Sequence, residues 1–334
     1  MKLKRIIFTL VLAGPGVFVL AEALLRWPGH PEVVFKLADK RLHCLDPDGF
    51  RIRLCPDVSI AFEHPFGFDY RITTDARGER IVYATTPDAG DARPEVWIIG
   101  DSIAMGYGQS DADTFAALIG AARGDLRVRN LGIDALGAAG ILSVLEGALE
   151  DARANGRPRP VRVFWIMHMS DFIDDVHDLH LAASGRARLI RRFHFFMSSW
   201  SATYNFARHV AEQWALSRKR NVYTAEDTAP EPPPLDHPTF GNIDRALTLA
   251  REQGLDLYFV FYPNVDHATG RTGQDYTLEN ILKEFIGERD GRIIDTRPAF
   301  MASGRDDLYL PTDGHPASAA ARIFADEILK AMPE

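Results

Sequence analysis

The segment from Glu95 to Phe115, EVWIIGDSIAMGYGQSDADTF, constrains the fold more than any other stretch of the chain. Val96 to Ile99 are β-branched and aromatic residues with no polar interruption, the composition of a strand buried on both faces of a parallel sheet. The run stops at Gly100-Asp101-Ser102 and passes into a glycine-punctuated helix start. Such a turn lies at the carboxyl end of the strand, where open α/β sheets gather their functional groups. A serine placed there is either an ordinary helix N-cap or a nucleophile on rigid backbone. Three residues alone do not decide between the two.

A serine hydroxyl is a poor nucleophile at neutral pH and needs a base, and the base needs a group that orients it. Near the other end of the chain, Tyr309-Leu310-Pro311-Thr312-Asp313-Gly314-His315-Pro316 precedes an amphipathic helix expected over Ala317 to Ala331. Asp313 and His315 share one loop, with a glycine between them, and both can face one site. The imidazole would take the Ser102 proton while the carboxylate fixes its tautomer. Together the two segments point to a catalytic unit of Ser102, His315 and Asp313.

With these residues the chain resembles the SGNH, or GDSL-like, hydrolase superfamily of serine esterases and acyltransferases, from about Tyr70 to the C-terminus. Tyr70 to Arg80 looks like a short segment found in membrane-linked members, and Gly106-Tyr107-Gly108 and Thr114-Phe115 are family-like. The resemblance implies a three-layer α/β/α, flavodoxin-like fold around a parallel sheet, and no cofactor. The block Asn130 to Gly137 is similar to the one that supplies a backbone donor to the oxyanion hole, and the donor falls on Ala135. That donor survives the change from the usual glycine provided φ stays negative. In the third block the strand Val163 to Met167 ends in His168-Met169-Ser170-Asp171, so Ser170 stands where the family carries Asn. The implied oxyanion donors are the N–H groups of Ser102 and Ala135, with the Ser170 hydroxyl as a shorter third. The Asp-x-His spacing resembles the polysaccharide O-acetyltransferase-like branch. The substrate it implies is an acylated carbohydrate or other small ester, with O-acetyl groups of envelope or secreted polysaccharide foremost. Esterase, acyltransferase and a catalytically degenerate domain that binds glycan or scaffolds an envelope complex all stay open.

The remaining features set compartment and organisation. A chain of 334 residues that is 46% hydrophobic can bury one sizeable α/β core with additions, and a net charge of −8 argues against a nucleic-acid partner. Lys2, Lys4 and Arg5 precede an apolar run from Ile6 to Ala21 that resumes at Leu24-Leu25 and reaches Trp27. This reads as a signal anchor over residues 1–27, with the catalytic domain outside the cytoplasm, or as a signal cleaved near Ala21-Glu22-Ala23. A β-leaning lead-in is expected over 28–90, and the hydrolase-like domain over 91–334. Cys44 and Cys55 flank a Pro47-Asp48-Gly49 turn signal, so a hairpin and a disulfide are expected between them. Residues 176–240 interrupt the family pattern with a basic, aromatic-rich stretch and a Pro-rich linker, Ala229 to Pro234. The stretch suits either a helical cap that packs its aromatics on the domain and roofs the site, or a helix lying in a membrane interface. His168, His177, His180 and His267 show no regular ligand spacing, and no metal is expected.

Overall fold

The computed structural model describes residues 15–27, 29–46, 51–82, 91–220, 236–263, 274–311 and 314–332. A first helix, α1, spans residues 15–26. Helix α2 (Pro31–Leu42) starts with Pro at its first turn and carries Lys40 and Arg41 in its last, both favourable at those ends. Strands β1 (His43–Leu45) and β2 (Ile52–Leu54) pair antiparallel. Cys44 and Cys55 are joined as expected, with Cα atoms 5.2 Å apart, while the Pro47-Asp48-Gly49 turn lies outside the described residues. In β3 (Ser59–Glu63) and β4 (Asp69–Thr73) alternate residues turn inward, and Ile60, Phe62, Tyr70 and Ile72 meet Leu42, Leu54 and Met105 in a small core. The lead-in therefore packs directly onto the residues that follow Gly100-Asp101-Ser102.

The central sheet is parallel and ordered β6-β5-β7-β8-β9. In chain order its units are β5 (Glu95–Ile99), α3 (Ser102–Met105), α4 (Phe115–Ala122), β6 (Arg127–Asn130), α5 (Ala138–Ala154) and β7 (Arg162–Met167). After three further helices, α6 (Ser170–Ala183), α7 (Gly185–Trp200) and α8 (Ala202–Arg220), come α9 (Pro238–Gln253), β8 (Leu257–Phe261), α10 (Gln274–Gly287), β9 (Arg292–Asp295), α11 (Arg297–Ser303) and α12 (Ser318–Lys330). Because side chains alternate across a strand, Val96, Ile98, Phe164, Ile166 and Val260 face one core with α4, α11 and α12. Trp97, Ile99, Trp165, Met167 and Phe259 face the other with α5, α9 and α10. This is the expected α/β/α sandwich, and it brings the ends of β5, β6 and β7 to one edge.

Among the described residues no helix is long and apolar enough to cross a membrane, and the expected span from Ile6 to Leu25 lies outside the described residues before position 15. Helix α1, its described part, is fastened to the domain: Glu22 accepts from the Ser201 hydroxyl at 2.6 Å and from the Ala202 and Thr203 N–H groups at 2.9 Å. Helices α7 and α8 do not pack all their aromatics inward. Phe206 meets the His30 ring, whereas Phe193, Phe196, Trp200 and Trp214 are exposed. The expected start of the insertion, residue 176, falls inside α6, and the Pro-rich linker lies outside the described residues.

Candidate active site

The nucleophile turn is built by three adjacent requirements. Gly100 has φ +151°, and a Cβ there would stand 2.7 Å from the Ala104 Cβ and 3.0 Å from the Ile166 carbonyl oxygen, so only glycine fits. Asp101 caps α3, its Oδ1 accepting from the Ile103 N–H at 2.9 Å. Ser102 is then the first residue of α3, and its Oγ lies 2.8 Å from His315 Nε2. The two side chains are 213 residues apart in sequence, and the fold brings them to hydrogen-bonding distance as expected. Asp313, the expected orienting carboxylate, lies outside the described residues.

The loops carrying the pair are tied to each other. Leu310 N–H donates to the His315 carbonyl at 2.8 Å, and the Gln109 side-chain amide donates to Pro316 O at 2.9 Å. The Tyr107 ring stands 4.5 Å from the imidazole, centre to centre. Behind the nucleophile, the fully buried Arg80 donates to the carbonyls of Met105 at 2.8 Å, Gly106 at 2.6 Å and Gln109 at 2.5 Å, and its Nε to Asp111 at 3.1 Å. Burial lowers the Arg80 pKa and the Asp111 carboxylate opposes that, so the ion is kept where it braces the loop.

A cleft of about 270 Å³ opens over this turn, lined by Asp101, Ser102, Ile103, Asp134, Ala135, His168, Ser170, Asp174, Gly314 and His315. Ala135 is on its wall as expected, but with φ +53°, not the negative φ on which the change from glycine was expected to depend. The left-handed region is disfavoured for alanine by roughly 1–2 kcal/mol, so the surrounding loop must hold it there. Part of that constraint is the preceding glycine: a Cβ on Gly132 would come within 2.2 Å of the Met105 nitrogen, so this loop runs against α3. Ser170 is also in the cleft. Its hydroxyl donates to Asp101 Oδ2 at 3.0 Å and lies 2.8 Å from His168 Nδ1, so in this state its one proton serves the nucleophile turn. His168, which sequence spacing placed only in an irregular histidine set, is a wall residue; its position at the end of a buried strand was the available signal. His177 and His180 sit exposed on α6, and His267 lies outside the described residues. No described residue of α7 or α8 lines the cleft, so the expected roof over the site is not formed by those helices.

The cleft is acidic. Burial raises the Asp134 pKa, and burial together with the charges of Asp101 and Asp134 pushes Asp174 up to about 6. Asp171, fully buried behind the wall, is held well above the ordinary carboxylate range by burial and by Asp101.

The chain matches no family model and no curated protein. Solved structures similar to it include a protein assigned to the lipolytic G-D-S-L family from Desulfitobacterium hafniense, at 14% identity over 72% of this chain and 100% of the other, with a TM-score of 0.45. A member of the lipolytic protein G-D-S-L family from Veillonella parvula is 13% identical over 71% of this chain and 97% of its own, with a TM-score of 0.44. An acetyl xylan esterase is 16% identical over 72% and 100% of the two chains, with a TM-score of 0.41. At TM-scores of 0.41 to 0.45, the functional reading rests on the geometry of the cleft itself.

Two outcomes follow from this geometry. Ser102→Ala and His315→Ala should each abolish turnover of a short acyl ester without lowering thermal stability, and the double variant should be little worse than either single one, because members of one unit are not additive. Substantial turnover by Ser102→Ala would refute the assignment. The second concerns Asp174, whose raised folded pKa means that the native state holds its proton more tightly than the unfolded chain. That stabilisation is complete below the ordinary carboxylate pKa of about 3.8 and is lost as pH rises through about 6. Thermal melts should therefore show Asp174→Asn more stable than wild type at pH 8, with the difference reduced or reversed near pH 4.

Proposed function

We propose that the chain is an SGNH-type serine hydrolase, an esterase or O-acyltransferase acting on ester-linked acyl groups, O-acetyl above all, of envelope or secreted polysaccharide. The observation that carries this reading is the 2.8 Å pair of Ser102 Oγ and His315 Nε2 at the carboxyl edge of a parallel sheet, facing an open cleft. Ser102 Oγ attacks the ester carbonyl carbon while His315 takes its proton. The N–H groups of Ser102 and Ala135 stabilise the oxyanion, with Ser170 as a weaker third donor once its hydroxyl turns from Asp101. His315 then returns the proton to the departing alcohol, leaving an acyl-enzyme that water or a sugar hydroxyl resolves. Asp313 is assigned the orienting role from its place in the sequence.

Cleft size supports a short acyl group. At about 270 Å³ it lies below the roughly 300–1,000 Å³ of pockets that enclose drug-sized ligands, and its carboxylates suit the hydroxyls of a carbohydrate. A second reading, a degenerate domain that binds glycan without turnover, draws on the Ser170 proton being engaged with Asp101. A fluorophosphonate probe separates the two: labelling of wild type and not of Ser102→Ala supports the enzyme, and an unreactive Ser102 supports the binding domain. In labelled-acetyl assays, acetate release with no product on added oligosaccharide identifies an esterase, and sugar acetylation an acyltransferase.

The same reading places the domain outside the cytoplasm, attached to a membrane through the N-terminal segment. The Cys44–Cys55 disulfide is in keeping with an oxidising compartment. Glu22 favours retention of the segment over cleavage near it, because its carboxylate is part of the start of α8. In cells expressing the chain, both cysteines should resist alkylation until reduced, and the protein should stay with membranes through a carbonate wash. Freely alkylated cysteines and a soluble protein would overturn the compartment while leaving the Ser102 chemistry standing.

A further inference from the structure

His43 is a buried imidazole that the catalytic reading leaves unused. It opens β1, at 3% exposure, in the lead-in and far from any motif. Its Nδ1 edge is held by α2, 2.9 Å from the Asp39 carbonyl oxygen and 3.0 Å from Asp39 Oδ1. Its Nε2 points the other way, with no hydrogen-bond partner, and lies 3.9 Å from Asp134 Oδ2. Asp134 is the cleft-wall residue next to Ala135. A continuous row of side chains thus runs from the lead-in to the loop that must keep Ala135 in a left-handed conformation.

We propose that Asp39 and His43 are a positioning pair for the oxyanion-side loop: the imidazolium, gripped by α2, holds Asp134, and with it the Ala135 N–H, against the cleft. The proposal rests on the reading of Ala135 as an oxyanion donor. A cation is the form that suits this place. Burial disfavours the charge and Lys40 repels it, but the hydrogen bond and charge of Asp39, together with Asp134, outweigh them and raise the His43 pKa above 6.5. The groups around the row are Asp39 and Lys40 from α2, Tyr70 from β4, and His315 and Asp101 on the cleft side of Asp134. Asp39, His43 and Asp134 also form the group whose donor atoms lie within 4.8 Å of one another, close enough to suggest a metal ion. The Nδ1 edge is already engaged by Asp39, which favours the ion-pair row, and metal binding is kept as an outcome of the test.

The sign of the pH dependence is set by the raised pKa. The charge on His43 is present at lower pH and lost as pH rises through its folded value, which removes the partner of Asp134. The test uses the full chain labelled on alanine nitrogen and histidine rings, following the Ala135 amide and the His43 ring by NMR from about pH 5 to pH 10, with kcat and KM for an acetyl ester over the same range. Wild type, His43→Gln and Asp39→Asn are compared. The Ala135 amide should shift with the His43 midpoint, and Asp39→Asn should move that midpoint down. His43→Gln should abolish the shift and lower kcat at neutral pH by roughly tenfold to a hundredfold with KM near wild type, the signature of a misplaced donor.

An Ala135 amide indifferent to the His43 titration would overturn the proposal, as would a kcat profile unchanged in both variants of an active enzyme. So would stoichiometric Zn²⁺ binding that His43→Gln removes, because the row would then be a metal site. Should His43→Gln fail to fold, Asp39→Asn decides through the midpoint shift. If wild type turns over no ester, the NMR titration still decides whether the row holds the loop, and the missing turnover counts against the proposed function instead.

Discussion

A guanidinium with no solvent contact has to find its hydrogen bonds inside the protein, and the way Arg80 does so organises the site. Its donors reach the carbonyls of Met105 at the end of α3 and of Gly106 and Gln109 in the loop after it, and one carboxylate, Asp111, which also accepts from the Thr73 N–H of β4 at 3.0 Å. Leaving any of these carbonyls buried and unpaired would cost on the order of 1–3 kcal/mol, and an unpaired buried charge more. The lead-in, the nucleophile turn and the loop beneath His315 are therefore one connected structure. The same loop carries Gln109, whose amide holds the Pro316 carbonyl, so the His315 segment is anchored to the body that carries Ser102.

Against that rigid side stands a side under electrostatic tension. Asp101, Asp134 and Asp174 crowd the cleft, where the proposed acyl transfer would develop negative charge. Nearby carboxylates oppose an oxyanion unless they are protonated, paired or turned away. Asp101 is occupied by the Ile103 N–H and the Ser170 hydroxyl, Asp134 faces His43, and Asp174, raised to about 6, becomes neutral only below that pH. The Ser170 hydroxyl thus has a use that an asparagine at that position would meet differently: it stabilises the acid next to the nucleophile.

Much of this was legible in the sequence because the informative signals are short-range. Unbroken apolar runs mark β5 and β7, and an amphipathic pattern marks the last helix, α12, to within a residue or so of Ala317 to Ala331. Ser102 and His315 could be paired because each sits in a turn with its own local chemistry. What was not legible depends on tertiary contact. The positive φ of Ala135 follows from a loop pressed on α3 at Gly132, the partner of Ser170 from the end of a different strand, and the reach of His43 from the docking of α2. The outward aromatics of α7 depend on which face the rest of the chain leaves uncovered, and composition is blind to that.

The lead-in is therefore more than a connection between the N-terminal segment and the catalytic core. Its disulfide closes the β1–β2 hairpin one residue from His43, its β3–β4 pair packs on Met105, and Arg80 at its end braces the nucleophile loop. Both walls of the cleft contact residues before β5, the Ser102 side through Arg80 and the Ala135 side through the approach of His43 to Asp134. On the proposed function, a substitution in the lead-in that loosens either contact would act on turnover without touching Ser102 or His315. The distribution of sensitivity along the chain should then follow these two rows of contacts and not proximity to Ser102 in sequence.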